Sequence, residues 1–249
     1  MQKLKVIKIG GNVIDNPDKL QVFLREFAAI QGLKILVHGG GKVATKVAAG
    51  LGIEAVMIDG RRVTDGRMLE VVTMVYGGTI NKGIVSSLQA LGCNAIGLTG
   101  ADGGFITALR RSAVPVDYGF VGDPVGVNLA TAQVLLGNGL VPIVAPLTYA
   151  DGALLNTNAD TVAQTVATAL SRVFSTELIY LFEKRGVLRD VNNDDSVIEY
   201  ITPAILQQLK ADGVVDKGML PKLENAFAAI DAGVHQVNIG QTIICNTIS

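Results

Sequence analysis

Short apolar segments alternate with helical segments along the first part of the chain, and this alternation constrains the fold more than any other feature. Residues 4–9 and 34–38 are strand-like, and each precedes a stretch in which apolar residues recur at helical spacing. Asn16-Pro17 is typical of a helix start, with a capping asparagine before proline at the first helical position. Strands that alternate with helices of this length predict a mainly parallel sheet with right-handed crossovers. The expected fold class is therefore α/β.

The rest of the chain extends this pattern. Residues 104–121 alternate like a β-hairpin, with 105, 107 and 109 facing 116, 118 and 120, and this hairpin is a candidate lid over a ligand. No linker rich in Pro, Ser or charge divides the 249 residues, so we expect one domain whose two lobes, 1–175 and 176–249, share a continuous sheet. The other predicted elements are helices 42–51, 66–77, 80–91, 128–137, 160–172, 203–210 and 222–232, strands 94–98, 141–146, 178–182 and 236–244, and a hairpin-like segment, 186–200.

Composition and charge narrow the classes of partner and the cellular location that we expect for the protein. Lys plus Arg (21) against Asp plus Glu (22) gives a net charge of −1, so nothing electrostatic favours nucleic acid or an anionic membrane as a partner. The uncharged stretch between Asp123 and Asp151 has the length to cross a bilayer, but prolines and Gly137-Asn138-Gly139 interrupt it. The first residues lead directly into a strand-like run, without a signal peptide. Cys93 and Cys245 fit buried thiols in a reducing cytosol, so we expect a cytoplasmic protein.

Two glycine clusters follow successive predicted strands. Gly10-Gly11 comes after the first strand and Gly39-Gly40-Gly41 after the second. Neither fits a Walker loop or G-x-G-x-x-G, and each alone is also explained as a tight turn. The carboxyl ends of parallel strands meet at one edge of a sheet, where backbone N–H groups can bind anions. Two clusters at such ends therefore favour an anion-binding site.

Charged and polar residues near these clusters suit phosphate chemistry. Lys8 interrupts an apolar strand two residues before Gly10, where an unpaired lysine would be costly to bury. Lys222 provides a second cation at the start of a helix, although it also fits a solvated surface residue. In the segment 154–160, Asn156, Asn158 and Asp160 fit either turn and capping positions or a binding site.

Two further residues leave alternatives open. Arg62, which follows a strand and Gly60, suits a carboxylate ligand but also fits the surface. His38 is the best candidate base, and it also fits a hydrogen-bonded histidine at a strand end. No Ser-His-Asp or Cys-His arrangement is evident. Phosphoryl transfer to a carboxylate needs no base, because that group is already ionised at neutral pH. It needs cations and N–H donors around the phosphoryl group.

Six motifs occur in the following order: Lys8-Ile9-Gly10-Gly11-Asn12, His38-Gly39-Gly40-Gly41, Gly60-Arg61-Arg62-Val63-Thr64, Gly97-Leu98-Thr99-Gly100-Ala101-Asp102-Gly103, Asn156-Thr157-Asn158-Ala159-Asp160 and Gly218-Met219-Leu220-Pro221-Lys222. In this order they resemble the acetylglutamate kinases, a branch of the amino acid kinase family, over nearly the whole chain. The resemblance implies a three-layer α/β/α sandwich and an enzyme of arginine biosynthesis. The implied reaction is ATP-dependent phosphorylation of the γ-carboxylate of N-acetyl-L-glutamate. N-succinyl-L-glutamate, another reaction of the family, and a non-catalytic sensor remain the alternatives.

The resemblance also implies roles for individual residues. Lys8 and Lys222 would bind the transferring phosphoryl group, Asp160 would orient both lysines, and Gly11 and Gly40 would donate backbone N–H groups. The implied substrate-binding residues are Gly39, Gly40, Gly41, Arg62, Asn156 and Asn158. The implied nucleotide-binding residues are Lys8, Gly10, Gly11, Glu183, Lys184, Gly186, Gly218, Met219 and Lys222.

The resemblance extends to cofactors and assembly. Mg²⁺ would be carried by the phosphates of ATP rather than by protein ligands. Residues 182–185 depart from the Thr-Asp common in relatives, and the stretch after His235 is short. The chain lacks the N-terminal helix that links dimers into arginine-inhibited hexamers, so we expect a homodimer.

Overall fold

The computed structural model describes residues 1–181, 184–215 and 219–247. Its strands are β1 (Lys3–Ile9), β2 (Leu33–His38), β3 (Met57–Ile58), β4 (Arg61–Arg62), β5 (Ala95–Leu98), β6 (Ile106–Arg110), β7 (Gly122–Val127), β8 (Val141–Val144), β9 (Leu147–Ala150), β10 (Ala153–Asn156), β11 (Ser175–Tyr180), β12 (Tyr200–Ile201), β13 (Gln236–Ile239) and β14 (Thr242–Ile244). Its helices are α1 (Gly11–Ile14), α2 (Pro17–Ala29), α3 (Gly41–Gly50), α4 (Gly66–Val72), α5 (Asn81–Ala90), α6 (Leu129–Gly137), α7 (Ala159–Leu170), α8 (Pro203–Ala211) and α9 (Leu220–Asp231).

The central sheet has eight strands in the order β12-β14-β13-β11-β1-β2-β8-β5. All neighbours are parallel except β13 and β14. This arrangement confirms the predicted α/β class. The prediction of one strand over 236–244 is wrong, because the chain turns at Gly240, whose φ is +58°, and returns antiparallel.

Side-chain alternation along the central strands creates two cores. Leu4 and Val6 of β1 contribute to the core formed with α6, α7, α8 and α9. Ile7 and Ile9 point to the other face and pack with α1 to α5. A parallel strand buried on both faces has this near-continuous apolar character. Helices therefore cover both faces, which confirms the three-layer sandwich.

The predicted helices 66–77 and 80–91 form one continuous helical run rather than two separate helices. α4 passes into a π-helical segment, Thr73–Ile80, which passes directly into α5. A hydrogen-bond pattern of i to i+5 accommodates the Gly77-Gly78 pair without ending the run. The prediction of a break there is wrong.

The predicted hairpin at 104–121 has a different partner. β6 pairs antiparallel with β7, which begins only at Gly122, and both belong to a smaller sheet of order β10-β9-β6-β7. Residues 118–120 pair instead with Thr64, whose N–H donates to Tyr118 O at 2.9 Å and whose carbonyl accepts from Phe120 N at 2.7 Å. This long-range pairing displaces the expected local register. The segment 186–200 is hairpin-like, as predicted: Leu188 and Val197 form an antiparallel bridge, Arg189 N donates to Ser196 O at 2.9 Å, and Ile198 N donates to Val187 O at 2.8 Å.

The uncharged stretch between Asp123 and Asp151 is divided among β7, α6, β8 and β9. In the described parts of the chain, every helix is too short or too polar to cross a bilayer.

Candidate active site

Two adjoining cavities open at the edge of the central sheet where β1, β2, β8 and β11 end. The larger cavity has a volume of about 420 Å³ and is lined by both glycine turns, Arg62, Asn156 and Asn158. The smaller cavity has a volume of about 290 Å³ and includes Lys222 in its lining. Both cavities share these lining residues: Lys8, Gly10, Gly11, Asp160, Tyr180 and Asn225. The expected position for a ligand in an open parallel sheet is this edge.

Lys8 is the basic residue that lines both cavities. It lies on the same face of β1 as Leu4 and Val6, and α7 covers that face. Its Nζ lies 2.7 Å from Asp160 Oδ1, in the first turn of α7, and its side chain is 15% exposed. Asn158 fixes this turn, because its Oδ1 accepts from Asp160 N at 2.8 Å and Thr161 N at 3.2 Å. The nearly buried lysine therefore has an ionic partner held by a capped helix.

Lys222 brings a second ammonium group to the smaller cavity. It lies in the first turn of α9, and its N–H donates to Met219 O at 3.0 Å. Lys8 lines the same cavity, although the two lysines are more than 200 residues apart in sequence. The structure thus brings together the two cations and the carboxylate that the sequence singled out.

The two glycine turns are connected by a backbone hydrogen bond. Gly39 N donates to Ile9 O at 3.0 Å. Gly40 has a φ of +149° and precedes the first residue of α3. A Cβ at Gly40 would lie 2.3 Å from Ile80 Cδ1 and 3.2 Å from the Tyr76 ring. Only glycine fits this conformation and this space.

Arg62 and Asn156 are polar residues buried at the larger cavity. Arg62 is 8% exposed, and its Nη2 donates to Gly41 O at 2.9 Å and to Thr45 Oγ1 at 2.7 Å. Asn156, also 8% exposed, donates through Nδ2 to Thr64 Oγ1 at 2.9 Å. These contacts hold a guanidinium and an amide in place, as recognition of a carboxylate requires.

His38 is fully buried, and both ring nitrogens are engaged. Nδ1 donates to Gly39 O at 2.9 Å, and Nε2 accepts from Asn81 Nδ2 at 3.1 Å. Burial lowers the pKa of His38 to about 4, only partly offset by the Gly39 carbonyl. Of the two interpretations that the sequence left open, the structure supports the hydrogen-bonded histidine at a strand end.

Several lining residues of the cavities escaped the sequence reasoning. Tyr180 ends β11 and lines both cavities, whereas the predicted strand 178–182 placed it in the middle of a strand. Burial raises the pKa of Tyr180, and the Asp160 charge adds to that rise. Asn225 lies three residues after Lys222 on α9. Arg111 and Tyr76 line the larger cavity without any local signal.

The amino acid kinase family model matches residues 3–241 of the 249. The chain belongs to the amino acid kinase family. This match confirms the resemblance carried by the six motifs.

Relatives of this amino acid kinase include curated proteins and solved structures. An acetylglutamate kinase of Cytophaga hutchinsonii is 56% identical over 97% of this chain and 92% of its own length. An acetylglutamate kinase of Phocaeicola vulgatus is 54% identical over 96% of this chain and 93% of its own. Among solved structures, smu.665 from Streptococcus mutans UA159 superposes with a TM-score of 0.77, covering 98% of this chain and 99% of that one, at 29% identity.

The predicted nucleotide contacts of this amino acid kinase are only partly placed at the cavities. Lys184 pairs with Asp194, with Nζ 2.8 Å from Oδ1, and Gly186 packs against Thr242; neither lines the two cavities. Met219 lies at the start of α9. Glu183 and Gly218 fall outside the described residues.

The buried His38 makes the stability of this amino acid kinase depend on pH. The unfolded imidazole binds a proton below about pH 6.5, whereas the folded one resists protonation down to about pH 4. The free energy of unfolding should therefore fall with decreasing pH, by up to about 1.4 kcal/mol per unit from His38 between these values. Urea unfolding at pH 7, 6 and 5 would measure the slope.

His38→Gln should reduce that slope, whereas His235→Gln, at an exposed position, should retain it. Equal slopes in the two variants would contradict the assignment of this pH dependence to His38.

Proposed function

We propose that the protein transfers the γ-phosphoryl group of ATP to the γ-carboxylate of N-acetyl-L-glutamate, a reaction of arginine biosynthesis. The observation that carries this proposal is the Lys8–Asp160 pair, which adjoins both glycine turns at cavities that also include Arg62 and Lys222. The names of relatives at 54–56% identity, acetylglutamate kinase, indicate the acceptor.

The proposed reaction requires positive charge around the phosphoryl group rather than a general base. The acceptor carboxylate is already ionised at neutral pH, so the reaction needs no base to remove a proton from it. His38, which is buried and hydrogen-bonded through both ring nitrogens, is therefore not needed as a base. Negative charge on the migrating phosphoryl group would be stabilised by Lys8, by Lys222 and by the backbone N–H groups of Gly11 and Gly40. Asp160 would keep Lys8 oriented.

The larger cavity suits the acceptor. Its Arg62 guanidinium would bind the α-carboxylate, and Asn156 would bind the polar acyl end of the substrate. Gly39 and Gly41 shape the turn beside it. Asn158 caps α7 through its Oδ1, so its proposed contact with the substrate would use Nδ2.

The smaller cavity and the C-terminal part would serve the nucleotide. Membership of a kinase family supports ATP as the phosphoryl donor. Asp160 is the only carboxylate among the described residues that line either cavity, which fits Mg²⁺ carried by the ATP phosphates, where it neutralises charge. We propose that 1–175 bind the acceptor and 176–249 the nucleotide, and that the enzyme works as a cytoplasmic homodimer.

Hydroxylamine trapping tests the reaction directly, because an acyl phosphate reacts with it to give a hydroxamate, which forms a coloured complex with ferric iron. With ATP and Mg²⁺, N-acetyl-L-glutamate should yield ADP and hydroxamate in equal amounts. N-succinyl-L-glutamate, L-glutamate, L-aspartate and carbamate would be compared in parallel. Preference for another acceptor, or ADP release without hydroxamate, would contradict the proposed function.

A further inference from the structure

The π-helical segment Thr73–Ile80 packs against the Gly39–Gly41 turn, and the residue after it, Asn81, reaches that turn through His38. Tyr76 and Ile80 occupy the space that a Cβ at Gly40 would need. Asn81 donates through Nδ2 to His38 Nε2 at 3.1 Å and to Ile143 O at 2.9 Å. The other nitrogen of His38 donates to Gly39 O. The turn is thereby supported at two successive residues from one helical run.

The π-helical pattern explains why these side chains act together. In an α-helix, a residue five positions later is rotated by about 140° from the first, so Tyr76 and Asn81 would face different directions. Hydrogen bonds from i to i+5 place about one more residue in each turn, which returns Asn81 towards the face that Tyr76 and Ile80 share. Such segments occur frequently at functional sites.

Tyr76 is a buried residue that also borders the larger cavity, the proposed binding site of the acceptor. It is only 4% exposed, yet it lines the larger cavity together with Arg62. Burial raises the pKa of Tyr76, and the nearby Arg62 charge offsets part of that rise. The phenol therefore remains protonated at neutral pH, so its hydroxyl group is able both to donate and to accept a hydrogen bond at this cavity.

Arg62 has several fixed neighbours around it. Its Nη2 donates to Gly41 O and Thr45 Oγ1, and its Nη1 lies 3.8 Å from Met68 Sδ. Tyr76 lines the same cavity as Arg62.

We propose that Tyr76 is a positioning residue for acceptor binding, which acts by fixing the guanidinium of Arg62 and the wall of the Gly39–Gly41 turn. The inference rests on the proposed function, because it gives Arg62 the acceptor carboxylate as its ligand. It assigns the π-helical segment the task of presenting Tyr76.

Removing the hydroxyl tests the assignment without emptying the core. Tyr76→Phe should raise the KM for the acceptor about tenfold, the effect of losing one hydrogen bond at a charged partner, with kcat and the KM for ATP within about twofold of wild type. Tyr149→Phe, the same change on β9 at a residue that lines neither cavity, should leave all three constants unchanged. An unchanged acceptor KM in Tyr76→Phe, or an equal rise in Tyr149→Phe, would overturn the inference.

A double-mutant cycle with Arg62→Lys asks whether Tyr76 acts through Arg62. The lysine keeps the charge but cannot hold the same hydrogen bonds. The loss from Tyr76→Phe should be much smaller in the Arg62→Lys background than in wild type. Additive losses would contradict a shared action.

The outcomes separate the two proposals. A wild-type protein inactive on N-acetyl-L-glutamate would contradict the proposed function, and the same variants would then be measured with whichever acceptor is turned over. An active wild type with a neutral Tyr76→Phe change would contradict only the inference.

Discussion

Replacing Lys8 with methionine should lower kcat by a factor of about 10² to 10³, the range for losing one group that stabilises transition-state charge. Methionine keeps most of the side-chain length and fits the apolar neighbours of β1, so the free energy of unfolding should change little. Lys222→Met should cause a loss of similar size, because both lysines line the smaller cavity. Steady-state kinetics with saturating ATP and acceptor would measure both.

Two further variants test whether a loss of activity comes from the lost charge at the site or from a folding defect. Lys3→Met changes an exposed lysine on the same strand and should retain wild-type kcat. Asp160→Asn should lower kcat as well, since it removes the carboxylate 2.7 Å from Lys8 Nζ. Full activity in Lys8→Met or Lys222→Met would show that the assigned roles are wrong.

Replacing Gly40 with alanine should lower both activity and stability. The φ of +149° is unfavourable for a residue with a Cβ, which costs about 1–3 kcal/mol. The added methyl would also lie 2.3 Å from Ile80 Cδ1, so the helical run or the turn has to shift. We expect a kcat/KM for the acceptor at least about 10² lower, because small misplacements of binding groups have effects of that size. Urea unfolding and initial rates would measure the two effects.

Neighbouring glycines provide matched controls for this variant. Outside its own helix backbone, a Cβ at Gly41 would approach a single atom of the described residues, Arg62 Nη2, at 3.9 Å, so Gly41→Ala should be close to wild type in stability. Among the described residues, and apart from the backbone of its own helix and its chain neighbours, no heavy atom lies within 4 Å of a Cβ at Gly83 in α5, so Gly83→Ala should stabilise by about 0.5–1 kcal/mol. Unfolding of Gly40→Ala and Gly41→Ala at the same urea concentration would contradict the predicted clash between a Cβ at Gly40 and Ile80.

The sequence predicted the central sheet well because its signals are local. Strand alternation places Lys8 on the face of Leu4 and Val6, and that face contacts α7 with Asp160. The rule that parallel strands end at one edge predicted that Gly10-Gly11 and Gly39–Gly41 would meet. Asn16 caps α2 as expected, accepting from Lys19 N at 3.0 Å.

Features that depend on distant partners were not predictable in this way. Thr64 pairs with residues 118–120, so this stretch is not the strand partner of β6 that we predicted. β6 pairs with β7 instead. The role of His38 is decided by Asn81, 43 residues later, and no pattern near His38 reveals that partner. Tyr76 reaches the cavity through a π-helical register, whereas periodicity arguments assume an α-helical one.

The hydrogen bond from Gly39 N to Ile9 O has a mechanical consequence. It joins the ends of two adjacent strands, so their loops cannot separate or slide without breaking a contact at the base of the reaction centre. In the proposed reaction, the two glycine turns would therefore keep a fixed spacing beneath the phosphate groups. Movement during the reaction would come from the side chains of Lys8 and Lys222, which are long and have several rotatable bonds.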